Sequence, residues 1–421
     1  MKSCSLATGV RLKLARAWAK GCIQTRKTLA KAYFALPWKS AGSNPRNRVG
    51  WVAQCSHRVA SLDELLAPPT GTDRYVVLAD DEVYPRRWPD LAGPGDQERL
   101  RRAAEQYQGG AAFDAPAVFL ACLHRARIVS PEALVLNQQG DILFEAAMSR
   151  EEVLEQNGIF ERLVTPRGIH RGGQYALLAH PWSYGYYHWL LEALPRLALL
   201  KQDARLAELL LIVPGPLKRF QQETLQLAGI ADERLVPFDG GCWEVEELFF
   251  PALPAPTGNP SPHAVEWLRR TFLPGTPDLP DPSRAGGRKL YLSRRDAPQR
   301  RLLNETEITG FLVSEGFEIF CAGDHSFAEQ VKTFSEASLV IAPHGAAVSN
   351  MVFAPSSACL IEFFGRNYVN GCYWALANLR QQRYGCLTGE PTGLDYTISL
   401  ESLQVMMAEA GLSGPGHPPQ S

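Results

Sequence analysis

Hydrophobic residues along this chain alternate between short continuous runs and segments with helical patterns. The continuous runs hold three to five apolar residues, too few for a helix, and they predict buried strands. They lie at 75–78, 175–178, 209–213 and 290–293. The intervening segments with helix-forming patterns lie at 98–108, 219–228 and 263–272. Strands that alternate with helices predict an α/β fold with parallel sheets.

The region that follows residue 51 departs from this alternation, because strand signals dominate it up to about residue 152. Apolar runs at 117–120, 126–129 and 134–136 read as neighbouring strands. A turn at Gln139–Asp141 then predicts a hairpin into 142–144. We expect a small β-rich region here, ahead of the first α/β unit.

Proline marks the predicted domain boundary. Nine prolines lie between residues 251 and 287, and the composition of residues 274–288 is that of a linker. A second unit of alternating strands and helices begins at Lys289. We therefore predict two Rossmann-like domains, at 51–273 and 289–411, which face each other across a cleft.

The second unit contains a strand, a tight turn and a probable short helix, in the order used for phosphate sites. The strand at 338–342 ends before His344-Gly345-Ala346, and the helix would run through Asn350. Free backbone N–H groups at such a turn face an anion, and the turn lies at the carboxyl edge of the sheet. Glu362, in the next strand, would lie at the same edge. The alternative is a buried turn in which His344 only caps its own loop.

Four arginines follow the strand at 290–293, and they are costly to crowd together unless an anion or carboxylates neutralise them. Arg294, Arg295, Arg300 and Arg301 lie within eight residues, and Asn304-Glu305 comes directly after them. Guanidinium groups suit phosphate oxygens, which they can bind in pairs. These residues are therefore candidates for an anion site, and a solvated basic loop is the alternative.

His188 and Glu192 are four residues apart in a predicted helix, so they share one face. A histidine beside a carboxylate can serve as a general base, because the carboxylate sets its tautomer and basicity. A purely structural polar pair is the alternative. No HExxH motif accompanies the pair, which argues against zinc.

Composition is that of a soluble globular protein with a basic N-terminal arm. Residues 1–50 hold 11 Lys and Arg and no acidic residue, whereas the remainder has 32 basic against 44 acidic residues. The acidic body predicts no nucleic-acid partner. Aromatic and basic residues are interleaved in residues 1–40, which predicts either contact with an anionic membrane surface or a solvated, flexible arm. The tail at 412–421 is expected to be disordered.

The cysteine pattern and the lack of export signals predict the compartment. Nine scattered cysteines form no CxxC pair and no zinc spacing, which indicates free thiols in a reducing compartment. We find no secretory h-region and no apolar run long enough to span a bilayer. These features predict a cytoplasmic protein, peripheral on the inner face of the membrane if the arm binds lipid.

Four motifs occur in the order YYHWLLEALPRL, LYLSRRDAPQRRLLNE, SFAEQVKTFSEASLVIAPHGAAVSNMVF and IEFF. In this order and spacing the chain resembles glycosyltransferase family 61, over about residues 117–364. The resemblance implies a GT-B fold and metal-independent transfer with inversion at the anomeric carbon. The donor would be a nucleotide sugar, and the acceptor a glycan that is free, lipid-linked or protein-linked. Consistent with this, the sequence contains no DxD triplet.

The resemblance also implies roles for the residues above. The second domain would bind the donor, with the arginines and the His344 turn at the diphosphate and Glu362 at the ribose hydroxyls. Asn304 and Glu305 match the family's NE pair. The first domain would hold the acceptor, with His188 or Glu192 as the base; the family often has Asp at the latter position. The donor-binding candidates are Arg294, Arg300, Arg301, Asn304, Glu305, His344, Gly345, Ala346, Asn350 and Glu362.

Composition and the lack of a signal or anchor favour a bacterial cytoplasmic enzyme over a Golgi one. The resemblance then implies a role in surface, capsular-type polysaccharide biosynthesis. Two other classes remain open. One is a sugar-nucleotide epimerase, which would need no acceptor. The other is a non-catalytic protein that binds nucleotide sugars or glycans on the same scaffold. The donor sugar, its base, the acceptor and the oligomeric state are not readable from the sequence.

Overall fold

A computed structural model describes residues 49–68, 71–130, 133–150, 152–154, 168–275, 287–295, 297–409 and 411. Three predicted segments lie largely or wholly outside these residues. They are the basic arm up to residue 48, most of the linker at 274–288, and the tail at 412–421.

The N-terminal part of the chain contributes twelve strands to the described structure. They are β1 (Val49–Gly50), β2 (His57–Arg58), β3 (Arg74–Ala79), β4 (Glu82–Pro85), β5 (Ala112–Ala115), β6 (Val118–Val129), β7 (Leu134–Leu136), β8 (Ile142–Leu143), β9 (Ile169–Leu177), β10 (Leu210–Pro214), β11 (Leu235–Phe238) and β12 (Cys242–Pro251). Strands β4 and β5 pair with each other, and the other ten form one sheet.

The helices of this part include one long surface helix and several short ones. They are α1 (Val52–Cys55), α2 (Leu62–Leu65), α3 (Pro94–Tyr107), α4 (Tyr186–His188), α5 (Leu197–Leu200), α6 (Ala204–Ala207), α7 (Arg219–Leu227) and α8 (Pro262–Phe272). A π-helical segment, Trp189–Ala193, and a 3-10 segment, Leu194–Arg196, join α4 to α5 without a break. Two further 3-10 helices are Glu145–Ala147 and Asp232–Arg234.

The β-rich region and the first α/β unit share the ten-stranded sheet. Its order is β1-β8-β7-β6-β12-β9-β10-β11, with β3 also paired to β6 and β2 to β3. Strands β12, β9, β10 and β11 are parallel, as the alternating pattern predicts. On its other edge β12 pairs antiparallel with β6. The region that we expected to precede the α/β unit therefore extends the same sheet.

Strand β6 replaces the two strands that we predicted at 117–120 and 126–129. The polar pair His124-Arg125 interrupts the apolar run and suggests a break, but pairing with β12 continues from Leu120 to Val129. Arg125 itself has a φ of 49° and no partner in the register, so it forms a local irregularity. Backbone pairing with β12 on both sides of Arg125 keeps β6 a single strand.

The C-terminal part forms a second sheet of six strands. They are β13 (Arg288–Leu292), β14 (Glu318–Phe320), β15 (Ala337–Pro343), β16 (Cys359–Gly365), β17 (Arg383–Thr392) and β18 (Asp395–Thr397), in the order β14-β13-β15-β16-β17-β18. The first five are parallel, and β18 is antiparallel to β17. The helices are α9 (Glu305–Ser314), α10 (Phe327–Ser335), α11 (Cys372–Leu379) and α12 (Leu400–Glu409), with 3-10 helices Ala322–Asp324 and Ala346–Val352.

Both sheets pack onto one continuous hydrophobic core. Buried residues of this core come from the helical segment of the first part, such as Leu190, and from the second sheet, such as Leu290 and Val340. At one edge the indoles of Trp88 and Trp374 stack, with ring centroids 4.7 Å apart. The architecture is mixed α/β with a Rossmann-like second sheet. Its division into two facing GT-B domains remains a prediction.

Candidate active site

The second sheet changes direction between β13 and β15, and a cavity opens there. Strand β14 follows β13 on one side, and the chain then returns to place β15 on the other side. In open α/β sheets, ligands bind outside the carboxyl ends of the strands at such a reversal. A cavity of about 380 Å³ lies at this point. Its lining comes from both parts of the chain: Tyr186, Arg219, Phe220, Glu223, Ser293, Arg294, Ala297, Ala322, Gly323, His325, Gln330, Ala346 and Ala347.

Arg294 and Gly345 occupy the two sides of this reversal and touch each other. Arg294 follows β13, and its guanidinium lies so close to Gly345 that a Cβ there would be 1.9 Å from the Nη1 atom. The φ of Gly345 is −175°, an extended value open to any residue. Glycine is therefore required by the approach of Arg294 and not by the backbone conformation. The backbone N–H of Arg294 donates to Glu305 Oε1 at 3.4 Å.

His344 forms a buried pair with Glu362. Its Nδ1 lies 2.5 Å from Glu362 Oε1, and the hydroxyl of Tyr384 donates to Oε2 at 2.6 Å. Glu362 is fully buried. Both carboxylate oxygens therefore face protein groups, which places the carboxylate behind His344. Its contact with the ribose hydroxyls, which the resemblance implies, stays a prediction.

The remaining arginines of the basic loop have different surroundings. The guanidinium of Arg300 lies over the ring of Tyr368, 4.8 Å from its centroid. Arg301 forms an ion pair with Asp395, at 2.8 Å. Tyr368 also lies 5.6 Å from the ring of His344, so one tyrosine ring is next to both side chains. The ion pair of Arg301 neutralises its charge at the edge of the sheet.

Two candidates hold neighbouring structure in place. The side chain of Asn304 donates to the Ile398 carbonyl at 2.8 Å and accepts from the Ile398 N–H at 3.1 Å. Glu305 accepts from the hydroxyl of Tyr291 at 3.1 Å, besides its bond to the backbone of Arg294. The first residue fixes the start of α9 against the segment after β18. The second fixes the loop that carries Arg294.

Asn350 links the two parts of the molecule. Its Oδ1 accepts from the hydroxyl of Tyr186 at 2.6 Å, and its Nδ2 donates to Gln330 Oε1 at 2.8 Å. Asn350 is fully buried and lies in a 3-10 helix of seven residues, which takes the place of the short helix that we predicted after the turn. Tyr186 and Gln330 line the cavity, so this bridge forms part of its wall.

His188 and Glu192 meet at the start of the helical segment, as their spacing predicts. Nδ1 of His188 lies 2.7 Å from Glu192 Oε2. Glu192 Oε1 accepts from the hydroxyl of Thr257 at 2.8 Å and from the N–H of Gly258 at 3.1 Å. The side chain of His188 is 26% exposed and that of Glu192 only 3%. The histidine is therefore the member of the pair that a substrate can reach.

The electrostatics favour an ionised Glu192. Burial alone would raise its pKa, but the interaction with His188 and the hydrogen bond from Thr257 outweigh burial and lower the pKa. His180 is fully buried, and burial lowers its pKa to about 3, so it stays neutral. An Nδ1–H of His188 that donates to an ionised carboxylate leaves Nε2 with a free electron pair. That atom can accept a proton.

Tyrosine rings connect the two histidine–glutamate pairs. Tyr187 contacts His188, with centroids 5.2 Å apart, and it contacts Tyr373 at 5.7 Å. Tyr373 in turn lies 5.3 Å from His344. The structure thus brings both predicted sites into one region at the junction of the two parts, with aromatic rings between them.

Several residues of this region were missed by the sequence analysis. They are Thr257 and Gly258 behind Glu192, Tyr384 behind Glu362, and Tyr186, Arg219 and Gln330 in the cavity wall. Thr257 and Gly258 lie in the proline-rich stretch at 251–287, which the sequence analysis assigned to the domain boundary. Tyr186 precedes His188 by two residues, and its place in the YYH triplet was the one available signal.

Two general features of the site can be stated for the described residues. Their His, Cys, Asp and Glu side chains form no group of three or more that could hold a metal ion. None of their helices is both long enough and apolar enough to cross a membrane.

Comparison with known proteins gives one match. Among curated proteins, none matches this chain. The sequence model of the family Glycosyltransferase 61 matches residues 186–361, a range that includes His188, Glu192, the basic loop and His344. The resemblance predicted from the four motifs is thereby confirmed over residues 186–361, which match the family model.

Proposed function

We propose that the protein is an inverting, metal-independent glycosyltransferase of the GT-B type that uses a nucleotide-sugar donor. The observation that carries this proposal is the His188–Glu192 pair, with a buried, ionised carboxylate behind a partly exposed imidazole. This is the arrangement of a general base. It lies at the junction with a sheet whose topological reversal is a typical nucleotide site.

The donor would lie in the cavity between β13 and β15. When the bond from the anomeric carbon to the phosphate oxygen breaks, the nucleoside diphosphate leaves with added negative charge. Arg294, at the cavity, and Arg300, over the ring of Tyr368, are the cations best placed to stabilise it. Arg301 is less suited, since its guanidinium already pairs with Asp395. These cations would take the role that a divalent metal plays in other transferases.

The acceptor hydroxyl would attack the anomeric carbon from the opposite side. Nε2 of His188 would take the hydroxyl proton as the new carbon–oxygen bond forms. Glu192 would not accept that proton itself, because its oxygens are bonded to His188, Thr257 and Gly258. It would stabilise the imidazolium that results. The attack from one face and departure from the other give inversion.

The acceptor would be a glycan, and a bacterial surface polysaccharide is the class that fits best. The basic composition of residues 1–40 supports a peripheral contact with an anionic membrane, where lipid-linked glycans are found. The localisation that we propose is therefore the cytoplasmic face of the membrane.

The test compares two variants with matched controls. In His188→Ala, we expect transfer to fall by about 10²- to 10⁴-fold while nucleotide affinity changes by less than a few-fold. In Arg294→Ala, we expect nucleotide affinity to fall by about tenfold or more, since a charge-assisted hydrogen bond is lost. His170→Ala and Arg295→Ala are the controls, because both side chains are exposed and neither lines the cavity.

The measurements are thermal shift and nucleoside diphosphate release, with a panel of nucleotide sugars and methyl glycosides, with and without EDTA. Metal-independent transfer predicts that EDTA changes neither the thermal shift nor the rate of nucleoside diphosphate release. Loss of nucleotide affinity in His188→Ala would move that residue to the donor side. Turnover of the nucleotide sugar without any acceptor, to an isomer, would favour an epimerase.

A further inference from the structure

The loop before the catalytic helix holds a tryptophan in a conformation that normally requires glycine. The N–H of Ser183 donates to the carbonyl of His180 at 3.1 Å, which closes a four-residue turn with Pro181 and Trp182 in the middle. Trp182 has a φ of 66°. Proline in second position and positive φ in third define a type II turn, where the third residue is usually Gly or Asn. A bulky residue there is a conformational outlier.

The strain brings the indole to the proposed base. The ring centroid of Trp182 lies 5.3 Å from that of His188, at an angle of 55°. The indole is only partly buried, and it packs against a buried cluster that includes Leu134 and Met148.

A second aromatic ring belongs to the same loop. Tyr184 is 61% exposed, and the ammonium of Lys218 lies 5.6 Å from the centre of its ring. Two residues later, Tyr186 enters the wall of the donor cavity. The loop from 180 to 186 therefore carries the ring of Trp182 beside the proposed base, the exposed ring of Tyr184, and Tyr186 in the wall of the proposed donor site.

We propose that Trp182 and Tyr184 form a binding platform for a pyranose ring of the acceptor glycan. This inference rests on the proposed function and deepens it by naming the acceptor site. One face of a pyranose carries mostly C–H groups, which are partly positive and apolar. Such a face packs favourably on the electron-rich face of an indole or phenol ring. Stacking on Trp182 holds the sugar hydroxyl groups beside His188.

The turn geometry argues against a purely structural tryptophan. Folding alone would favour glycine at position 182, since glycine adopts positive φ without a steric penalty. A strained bulky residue at a site indicates that its side chain is needed there. The indole does cover part of the core, so stability has to be measured separately from sugar binding.

The test is saturation-transfer NMR with methyl glycosides of glucose, galactose, mannose, xylose and N-acetylglucosamine, on the full chain. In Trp182→Gly, which removes the ring and relieves the turn, we expect glycoside affinity to fall by about tenfold or more, while nucleoside diphosphate affinity changes by less than a few-fold. Trp182→Phe keeps a ring and should retain most of the binding. Tyr184→Ala, at an exposed position, should weaken binding more mildly.

Three results would overturn the platform. The first is equal glycoside binding by wild type and Trp182→Gly, and the second is no saturation transfer to glycosides in the wild type. The third is a loss of both sugar and nucleotide binding in Trp182→Gly, together with unchanged sugar binding in Tyr184→Ala. Failure of the proposed function looks different. In that case nucleotide sugars would neither bind nor react, while methyl glycosides still bound in a way that depends on Trp182.

Discussion

Two histidines of the site, His188 and His344, each have a glutamate behind them, and in both pairs each carboxylate oxygen bonds to a protein group. Glu192 accepts hydrogen bonds from Thr257 and Gly258 besides His188. Glu362 accepts from Tyr384 besides its bond with His344. A carboxylate with such partners sets the orientation and charge of its histidine. This favours His188 over Glu192 as the proton acceptor, an alternative that the sequence left open.

We expect Glu192→Gln to lower the transfer rate by one to two orders of magnitude, about the loss seen when an orienting partner of a histidine is removed. Nucleotide affinity should stay the same. The variant keeps the shape of the side chain but cannot stabilise an imidazolium. Steady-state transfer kinetics and nucleotide titrations measure the two effects. An unchanged rate would mean that the carboxylate charge plays no part in the reaction.

The same variant has a predicted pH signature in stability. The pKa of Glu192 is lower in the folded protein than its ordinary value of 4.5. Its ionised form therefore stabilises the fold above pH 4.5, and this contribution disappears as the pH falls through the lowered value. The difference in melting temperature between wild type and Glu192→Gln should be largest near neutral pH and shrink below about pH 4. A difference that grows on acidification would contradict the lowered pKa.

At the scale of elements, the segment from Tyr186 to Leu200 explains how the pair is presented. Pro195 lacks an N–H and would clash with the carbonyl of Leu191 in a regular helix. The helix is therefore irregular here: a π-helical segment precedes the proline, and a 3-10 segment contains it. Glu192 lies in the π-helical segment, a type of irregularity that is frequent at functional sites. A regular helix would not place the carboxylate in the same way.

The turns after β13 and β15 also depend on each other, because the side chain of Arg294 in the first turn lies against Gly345 in the second. In Gly345→Ala, the new methyl group would collide with the guanidinium, and we expect the flexible arginine side chain to move. Nucleotide affinity should fall nearly as far as in Arg294→Ala. Stability should change little, because the φ of −175° suits alanine. Isothermal titration and thermal melting check the two expectations.

Gly310→Ala is the matched control, since its position in α9 has open space around the added methyl group. Wild-type nucleotide affinity in Gly345→Ala would show that the contact of Arg294 with Gly345 does not set the position of the guanidinium. It would also weaken the assignment of Arg294 to the diphosphate.

At the scale of the whole molecule, the shared core couples the two sheets. Trp374 is fully buried on α11, stacks on Trp88 and donates from Nε1 to the carbonyl of Arg87 at 2.8 Å. Two residues of the N-terminal part are thus fixed to a helix of the C-terminal part. We therefore expect one cooperative unfolding transition in urea, with both sheets lost together.

Replacing Trp374 should test this coupling. Trp374→Ala removes a large buried side chain and should lower the free energy of unfolding by about 3–5 kcal/mol. Trp51→Ala, where the indole is 42% exposed, should have a much smaller effect. Urea unfolding followed by circular dichroism measures both. Two separate transitions in the wild type would favour independent domains, as the linker at 274–288 predicts.

The sequence by itself determined the local elements of the second sheet and named the histidine, glutamate and arginine candidates for the sites. The signals used were apolar runs, the capping box at Ser326 and the proline breaks. Each depends only on residues that are close in sequence, so the sequence alone reveals it. The i,i+4 spacing also placed His188 beside Glu192. The resemblance to the family rested on motifs of the same short range.

Only the tertiary structure decided which partners complete these sites. Thr257 lies 65 residues beyond Glu192, and Tyr384 lies 22 residues beyond Glu362. No local pattern encodes such contacts, because they arise when strands of a sheet and the segments around them pack together. The same holds for the core that both sheets share and for the extension of one sheet by the β-rich region. Side-chain roles that depend on burial, such as the orienting role of Glu362, follow from packing and not from spacing.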